Sequence, residues 1–139
     1  MGNSNHIFVD TNVLIGAWSG IQTDKNCLQY LFSLKGKQLY ISALTVAQLV
    51  SVFQKKKTNA EIKAIVDYLL LKFVIISFTD KEIRSSIVLK GSDIEDNIQY
   101  MISKKFHCSY FVTNNKKDYN NFFDIEVILP HKARLIDKD

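Results

Sequence analysis

The sequence predicts an α/β fold of three layers, α/β/α, built around a mainly parallel twisted sheet. Two observations carry that expectation. Short apolar runs rich in β-branched residues alternate with longer segments whose apolar residues recur at helical spacing, as in strands joined by crossover helices. Three helical segments open on Ser/Thr-x-x-Glu, at Thr58/Glu61, Thr79/Glu82 and Ser92/Glu95. In that pattern a hydroxyl and a carboxylate satisfy each other's orphan backbone N–H groups at a helix start. The 139 residues are read as a single domain, with a polar tail from about residue 131 expected to fray.

Taken in order, His6-Ile-Phe-Val-Asp10 is an apolar run ending in an acid and reads as a buried strand. A helix is expected from Val13 to Trp18. Another covers residues 24–34, where Cys27, Leu28, Leu31 and Leu34 share a face. Residues 38–41 read as a second strand. Val46, Leu49, Val50 and Phe53 then mark a helix over residues 45–54. Behind Thr58, the residues Ile62, Ile65, Val66, Leu69 and Leu70 form the next helical stripe. Residues 72–77 are dense in β-branched side chains and read as a third strand. The Thr79 box opens a helix expected to stop near Gly91. The Ser92 box opens one reaching about Lys105, with Ile94, Ile98, Met101 and Ile102 on one side. Residues 109–113 and 126–129 read as the last strands, the second closed by Pro130.

Hydrophobic residues make up 47% and charged residues 23%. That balance excludes a wholly disordered chain, a collagen-like fibre and a disulfide scaffold. Cys27 and Cys108 are the two cysteines. They fit a reducing compartment, and a cytoplasmic location is expected. The longest apolar run, residues 68–78, is broken by Lys72 and too short to span a membrane. No basic segment precedes an apolar one as in a secretory signal. His6 stands where a myristoylation motif needs Ser or Thr. The net charge of +4 permits a polyanionic partner without requiring one.

The acids fall at informative places. In open α/β sheets ligands bind beyond the carboxyl ends of the strands. Asp10 closes the first strand, Asp118 lies in the turn after the 109–113 strand, and Asp96 sits in the first turn of the helix before it. A first-turn acid such as Asp96 also complements the helix dipole. Asp10 has no such ordinary explanation, because a carboxylate at the end of an apolar strand costs several kcal/mol unless paired or bound to a cation. Carboxylates converging on one cleft repel, and a hard divalent ion relieves them. His6, His107 and His131 form no ligand set with the cysteines, and the glycines are too scattered for a phosphate-binding loop. An acidic pocket of response-regulator type fits the 113–118 turn poorly.

Four segments carry a family resemblance. Phe8-Val-Asp10-Thr-Asn-Val-Leu-Ile15 resembles the first motif of PIN-domain ribonucleases, the VapC-like toxins of bacterial toxin–antitoxin pairs. Ser42-x-x-Thr45-x-x-Gln48-Leu49 resembles the second, Asp93-Ile-Glu-Asp96-Asn-Ile-Gln-Tyr100 the third, and Thr113-Asn-Asn115-Lys-Lys-Asp118-Tyr119 the fourth. Order and spacing agree from about residue 7 to residue 129. The resemblance implies a PIN-like fold and a Mg²⁺- or Mn²⁺-dependent endoribonuclease. It also implies an RNA substrate, a cognate antitoxin and a homodimer. Carried over, Asp10, Asp96 and Asp118 are the catalytic and metal-holding positions. Thr11, Asn12, Gln48, Glu95, Thr113 and Asn115 support them. Gln48 departs from the pattern, since the family usually has glutamate there. Glutamine keeps the shape and loses the charge. The alternative reading is a non-catalytic RNA- or protein-binding module of PIN fold. Some of Lys55, Lys56, Lys57, Lys116 and Lys117 are expected to flank the cleft, with Lys116 and Lys117 holding RNA phosphates. Ile15, Trp18, Leu49, Val50 and Phe53 belong either to the core or to a docking face for the antitoxin or a second copy.

Overall fold

The computed structural model describes residues 3–90, 93–119, 122 and 124–136. Its elements in chain order are β1 (Asn3–Val9), α1 (Thr11–Trp18), α2 (Gln22–Ser33), β2 (Gln38–Ser42), α3 (Ala43–Phe53), α4 (Asn59–Lys72), β3 (Val74–Ile76), α5 (Asp80–Ser86), α6 (Ile94–Lys104), β4 (Cys108–Val112) and β5 (Glu126–Ile128). Two 3-10 turns follow β4 and β5, at Lys116–Tyr119 and Pro130–Leu135.

The strands form one five-stranded sheet in the order β3-β2-β1-β4-β5, and every pairing is parallel. β1 is central, with Ile7 beside Leu39 of β2 and Val9 beside Val112 of β4. Side chains alternate across the sheet with period two, and the core divides accordingly. Ile7, Val9, Ile41 and Val112 pack on one face against α1–α4, through Leu14, Leu31, Leu49, Phe53 and Leu69. Phe8, Tyr40 and Phe111 pack on the other against Tyr100 and Ile102 of α6 and against Tyr119. These two cores and the sheet between them are the three layers.

The capping boxes at Thr58/Glu61 and Thr79/Glu82 both close reciprocally. Gly91, the expected stop, and Ser92 of the Ser92/Glu95 box lie outside the described residues. The described cap of α6 is Asp93, which accepts the Asp96 N–H. α5 ends at Ser86, earlier than expected. The buried face of α6 also differs from the expected apolar side. Ile94 points to solvent, and Asn97, Gln99, Tyr100, Ile102 and Ser103 face inward. Ile98 and Met101 are half-buried. On α4, Leu70 is exposed while Ile62, Ile65 and Leu69 are buried.

Residues 131–136 of the expected tail pack on the core, and residues 137–139 lie outside those described. Ala133 and Ile136 are buried, the Tyr30 hydroxyl donates to the Ile136 carbonyl at 2.9 Å, and Pro130–Leu135 packs on α2. Its apolar residues are spaced to reach the core from a 3-10 turn, a short signal hidden among charges. Of the five residues left between core and docking face, Leu49 and Phe53 are fully buried. Ile15, Trp18 and Val50 are half-buried against the same core. Among the described residues no helix is long and apolar enough to cross a membrane.

Candidate active site

β1 is followed in the chain by β2 on one side of the sheet, and β4 lies on its other side. The crevice at the carboxyl ends of β1 and β4 is therefore the switch point where open α/β sheets bind ligands. Asp10 and Thr113 are the first residues past those two strands.

Asp10 is buried, yet its carboxylate is well supplied with donors. Oδ1 accepts the Thr11 N–H at 2.8 Å, which caps α1. Oδ2 accepts from Thr113 Oγ1 at 2.8 Å, Asn12 Nδ2 at 3.2 Å and the Tyr119 hydroxyl at 3.3 Å. Burial pushes its pKa up, and these hydrogen bonds pull against that rise without overcoming it. Thr113 Oγ1 is itself oriented. It accepts from the Asn115 N–H at 3.0 Å and from Asn12 Nδ2 at 3.1 Å, so its own proton is left for Asp10.

Asp96 faces the same cleft from the first turn of α6. Its Oδ1 accepts from the Tyr119 hydroxyl at 3.1 Å, and its Oδ2 is buried with no hydrogen-bond partner. One phenolic proton thus serves two carboxylates. The Asp96 pKa is pushed up to about 7, first by burial and then by the Asp93, Asp10 and Asp118 charges, against the Tyr119 hydrogen bond. The Tyr119 hydroxyl, buried between two carboxylates, is driven far above its ordinary value by burial and by their charges.

Gln48 enters from α3, half-buried in the same cleft. Both ends of its amide are engaged. Oε1 accepts from the Thr11 hydroxyl at 2.6 Å, and Nε2 donates to Glu95 Oε2 at 3.0 Å. Beneath it lies a buried polar cluster. Gln99 Nε2 donates to Thr11 Oγ1 at 3.0 Å and Thr45 Oγ1 at 2.9 Å, while its Oε1 accepts from Ser42 at 2.6 Å.

The structure therefore brings Asp10, Thr11, Asn12, Gln48, Glu95, Asp96 and Asn115 to one cleft, with Asp93 beside them. Asp118 stands outside it. It is exposed and lines a neighbouring depression with Asn115, Lys116 and Lys117, and it acts on Asp96 as a like charge. The residues lining the cleft include Asp10, Asp93, Glu95 and Asp96 and no lysine or arginine. Lys55, Lys56 and Lys57 do not line it. Among the described residues no three His, Cys, Asp or Glu side chains are gathered into a ready-made metal cage. The cleft offers a cation an uncompensated acidic lining and one bare buried carboxylate oxygen.

Sequence reasoning missed Tyr119, Gln99 and Asp93 as parts of this site. Tyr119 is fully buried and follows Asp118 in the fourth motif, but an aromatic ring there reads as core. Gln99 and Asp93 lie within the third motif, and their amide and carboxylate are of the types that orient neighbours.

Residues 6–117 match the PIN domain family. The chain is 31% identical to Ribonuclease VapC1 of Aquifex aeolicus (strain VF5), over an alignment covering 91% of each chain. Among solved structures it is similar to a toxin–antitoxin complex from Klebsiella pneumoniae, with a TM-score of 0.69 at 22% identity, covering 91% of this chain and 98% of that one. It is also similar to VapBC2 from Rickettsia felis bound to a DNA fragment from their promoter, with a TM-score of 0.68 at 19% identity, covering 89% and 98%. At these identities the structural likeness is one of fold.

Proposed function

The chain belongs to the PIN-domain family, and from that premise we propose that it is a metal-dependent endoribonuclease, the toxin of a toxin–antitoxin pair. The observation that carries the reading is the pair Asp10 and Asp96 at the sheet's switch point, sharing the Tyr119 hydroxyl, with Asp96 Oδ2 buried and bare. A buried carboxylate oxygen with no donor is costly, and a hard cation is the partner that removes the cost. The residues present fit such an ion.

Asp10 and Asp96 would hold Mg²⁺ or Mn²⁺, with Asp118 adding negative charge from the neighbouring depression. Bound there, the ion would lower the pKa of a water and stabilise charge on the attacked phosphate. The chain's own residues do the rest. Thr11, Asn12 and Thr113 fix the Asp10 carboxylate before any ligand arrives, so little ordering remains at the moment of reaction. Asn115 aligns Thr113 through its backbone N–H. Gln48 ties Thr11 to Glu95 and keeps that carboxylate at the cleft's edge. Lys116 and Lys117 supply the positive charge that the cleft itself lacks and would contact RNA phosphates beside it. An antitoxin partner and a homodimer belong to the same reading. A small DNA-binding protein encoded beside this chain that suppresses its cleavage would establish the pairing.

The neutral Gln48 and the exposed Asp118 favour one second reading, a PIN-fold module that binds RNA without cutting it. One experiment separates the two. Structured RNA is incubated with the protein and Mn²⁺ or Mg²⁺, with a chelator and with Asp10→Asn as controls. Cleavage that both controls abolish supports the nuclease. RNA retained but uncut in saturating Mn²⁺ supports the binding module.

A further inference from the structure

We propose that Asp24, on α2 and outside the cleft, is a positioning residue for Asp10, acting through Asn114 and Asn12. The functional consequence rests on the nuclease reading above, while the geometry stands without it.

Asp24 lies in the first turn of α2, where an acid complements the helix dipole. That benefit does not require burial, as the exposed Glu61 in the first turn of α4 demonstrates. Asp24 is nonetheless only 2% exposed. The chain also keeps a glycine opposite it. Gly16 is inside α1, where glycine is unfavourable. A methyl group there would overlap the Asp24 carboxylate. The Asp24 carboxylate thus occupies space that the glycine at position 16 leaves open.

The carboxylate leads toward the site. Asp24 Oδ1 accepts from Asn114 Nδ2 at 3.0 Å. Asn114 is the exposed residue after Thr113, and its backbone N–H donates to Asn12 Oδ1 at 3.0 Å. That bond anchors the oxygen end of the Asn12 amide, the end that can accept, and so holds the side chain in place. The other end, Asn12 Nδ2, then donates to Asp10 Oδ2 at 3.2 Å and Thr113 Oγ1 at 3.1 Å. With Asn114 untied from Asp24, its backbone N–H is no longer held against Asn12 Oδ1, and the Asn12 side chain loosens from Asp10.

The test compares Asn114→Ala, Asp24→Ala, their double variant and Asp24→Asn in the full chain. Three readouts are followed: the Asn12 side-chain amide resonance, Mn²⁺ affinity by calorimetry and the melting temperature. Asn114 is exposed, so its replacement leaves the fold intact. Both single alanine variants should shift the Asn12 resonance and weaken Mn²⁺ binding about tenfold, the low end for outer-shell partners of a metal site. The double variant should be no worse than Asp24→Ala, because the two residues act in series. Asp24→Asn, which keeps an oxygen facing Asn114, should recover most of the loss. An Asn12 resonance and Mn²⁺ affinity that stay put in Asn114→Ala overturn the proposal. So does a lowered melting temperature of Asp24→Ala with those two readouts unmoved. If the natural protein neither binds Mn²⁺ nor cuts RNA, the nuclease reading fails, and the Asn12 resonance alone decides the relay.

Discussion

The two sides of the cleft hold their carboxylates in opposite ways. On the β1/β4 side, Asp10 is buried and accepts hydrogen bonds from Thr11, Asn12, Thr113 and Tyr119, all of them uncharged donors. On the α6 side, Asp96 is half-buried, receives one hydrogen bond from Tyr119, and faces Asp93, Asp10 and Asp118. The first carboxylate is satisfied by folding itself. The second is left short of positive charge. The contrast separates a carboxylate whose hydrogen bonds the fold supplies from one the fold leaves with a bare oxygen.

The sharpest way to break that contrast is to neutralise each side in turn. Asp10→Asn and Asp96→Asn should each lower the cleavage rate at least a hundredfold, the scale for removing a preorganised charge-handling group. Their effects on stability should diverge. Asp10→Asn sets an amide N–H₂ against donors and should destabilise the fold by about 1–3 kcal/mol in urea unfolding. Asp96→Asn removes a repelled charge and should leave the metal-free protein as stable or more so. Equal destabilisation by both substitutions would erase the distinction.

Acidity gives a second measure. The folded Asp96 pKa of about 7 lies above its ordinary value, so between about pH 4 and 7 the folded chain holds a proton that the unfolded chain has lost. Stability therefore falls as pH rises through that window. Asp10, also raised, acts in the same direction. The metal-free protein should melt at a lower temperature at about pH 8 than at pH 5, and Asp96→Asn should flatten the curve. A melting temperature that rises over this range would contradict the assignment.

Two smaller effects sharpen the picture further. Gln48→Glu places a carboxylate against Glu95, where an amide now donates. It should lower metal-free stability while tightening Mn²⁺ binding by about tenfold, roughly 1.4 kcal/mol. Unchanged Mn²⁺ affinity in a folded variant would remove position 48 from the metal's surroundings. Lys116→Ala and Lys117→Ala should each reduce the salt dependence of single-stranded RNA binding by a slope of about 0.7. An unchanged slope in the double variant would take both lysines out of the interface.

Much of this was legible in the sequence where local physics decides. The strands announce themselves as apolar β-branched runs, and two capping boxes close as written. Asp10 stood out because a carboxylate at the end of such a strand is costly. The four motifs brought in Asp96 and Gln48, which line the cleft, and Thr113, which lies buried behind it and donates to Asp10. What stayed illegible depends on tertiary partners. Gln99 and Asn97 break the apolar periodicity of α6 because their partners arrive from α1, α3 and α5. Tyr119 pairs a ring packed on Phe111 with a hydroxyl in the site, and a sequence pattern registers only the ring. Asp118 looked equivalent to Asp96, but the 3-10 turn at Lys116–Tyr119 faces it to solvent and Tyr119 inward.

The seat between α1 and α2 carries a consequence for relatives of this chain. A methyl group at position 16 would overlap the Asp24 carboxylate where it now sits. The residue at 16 and the placement of the acid at 24 are therefore coupled. Alanine at 16 requires the Asp24 carboxylate to swing out of its present position or the residue at 24 to be shorter. Covariation between these two columns, eight residues apart and on different helices, would be the mark this contact leaves on an alignment.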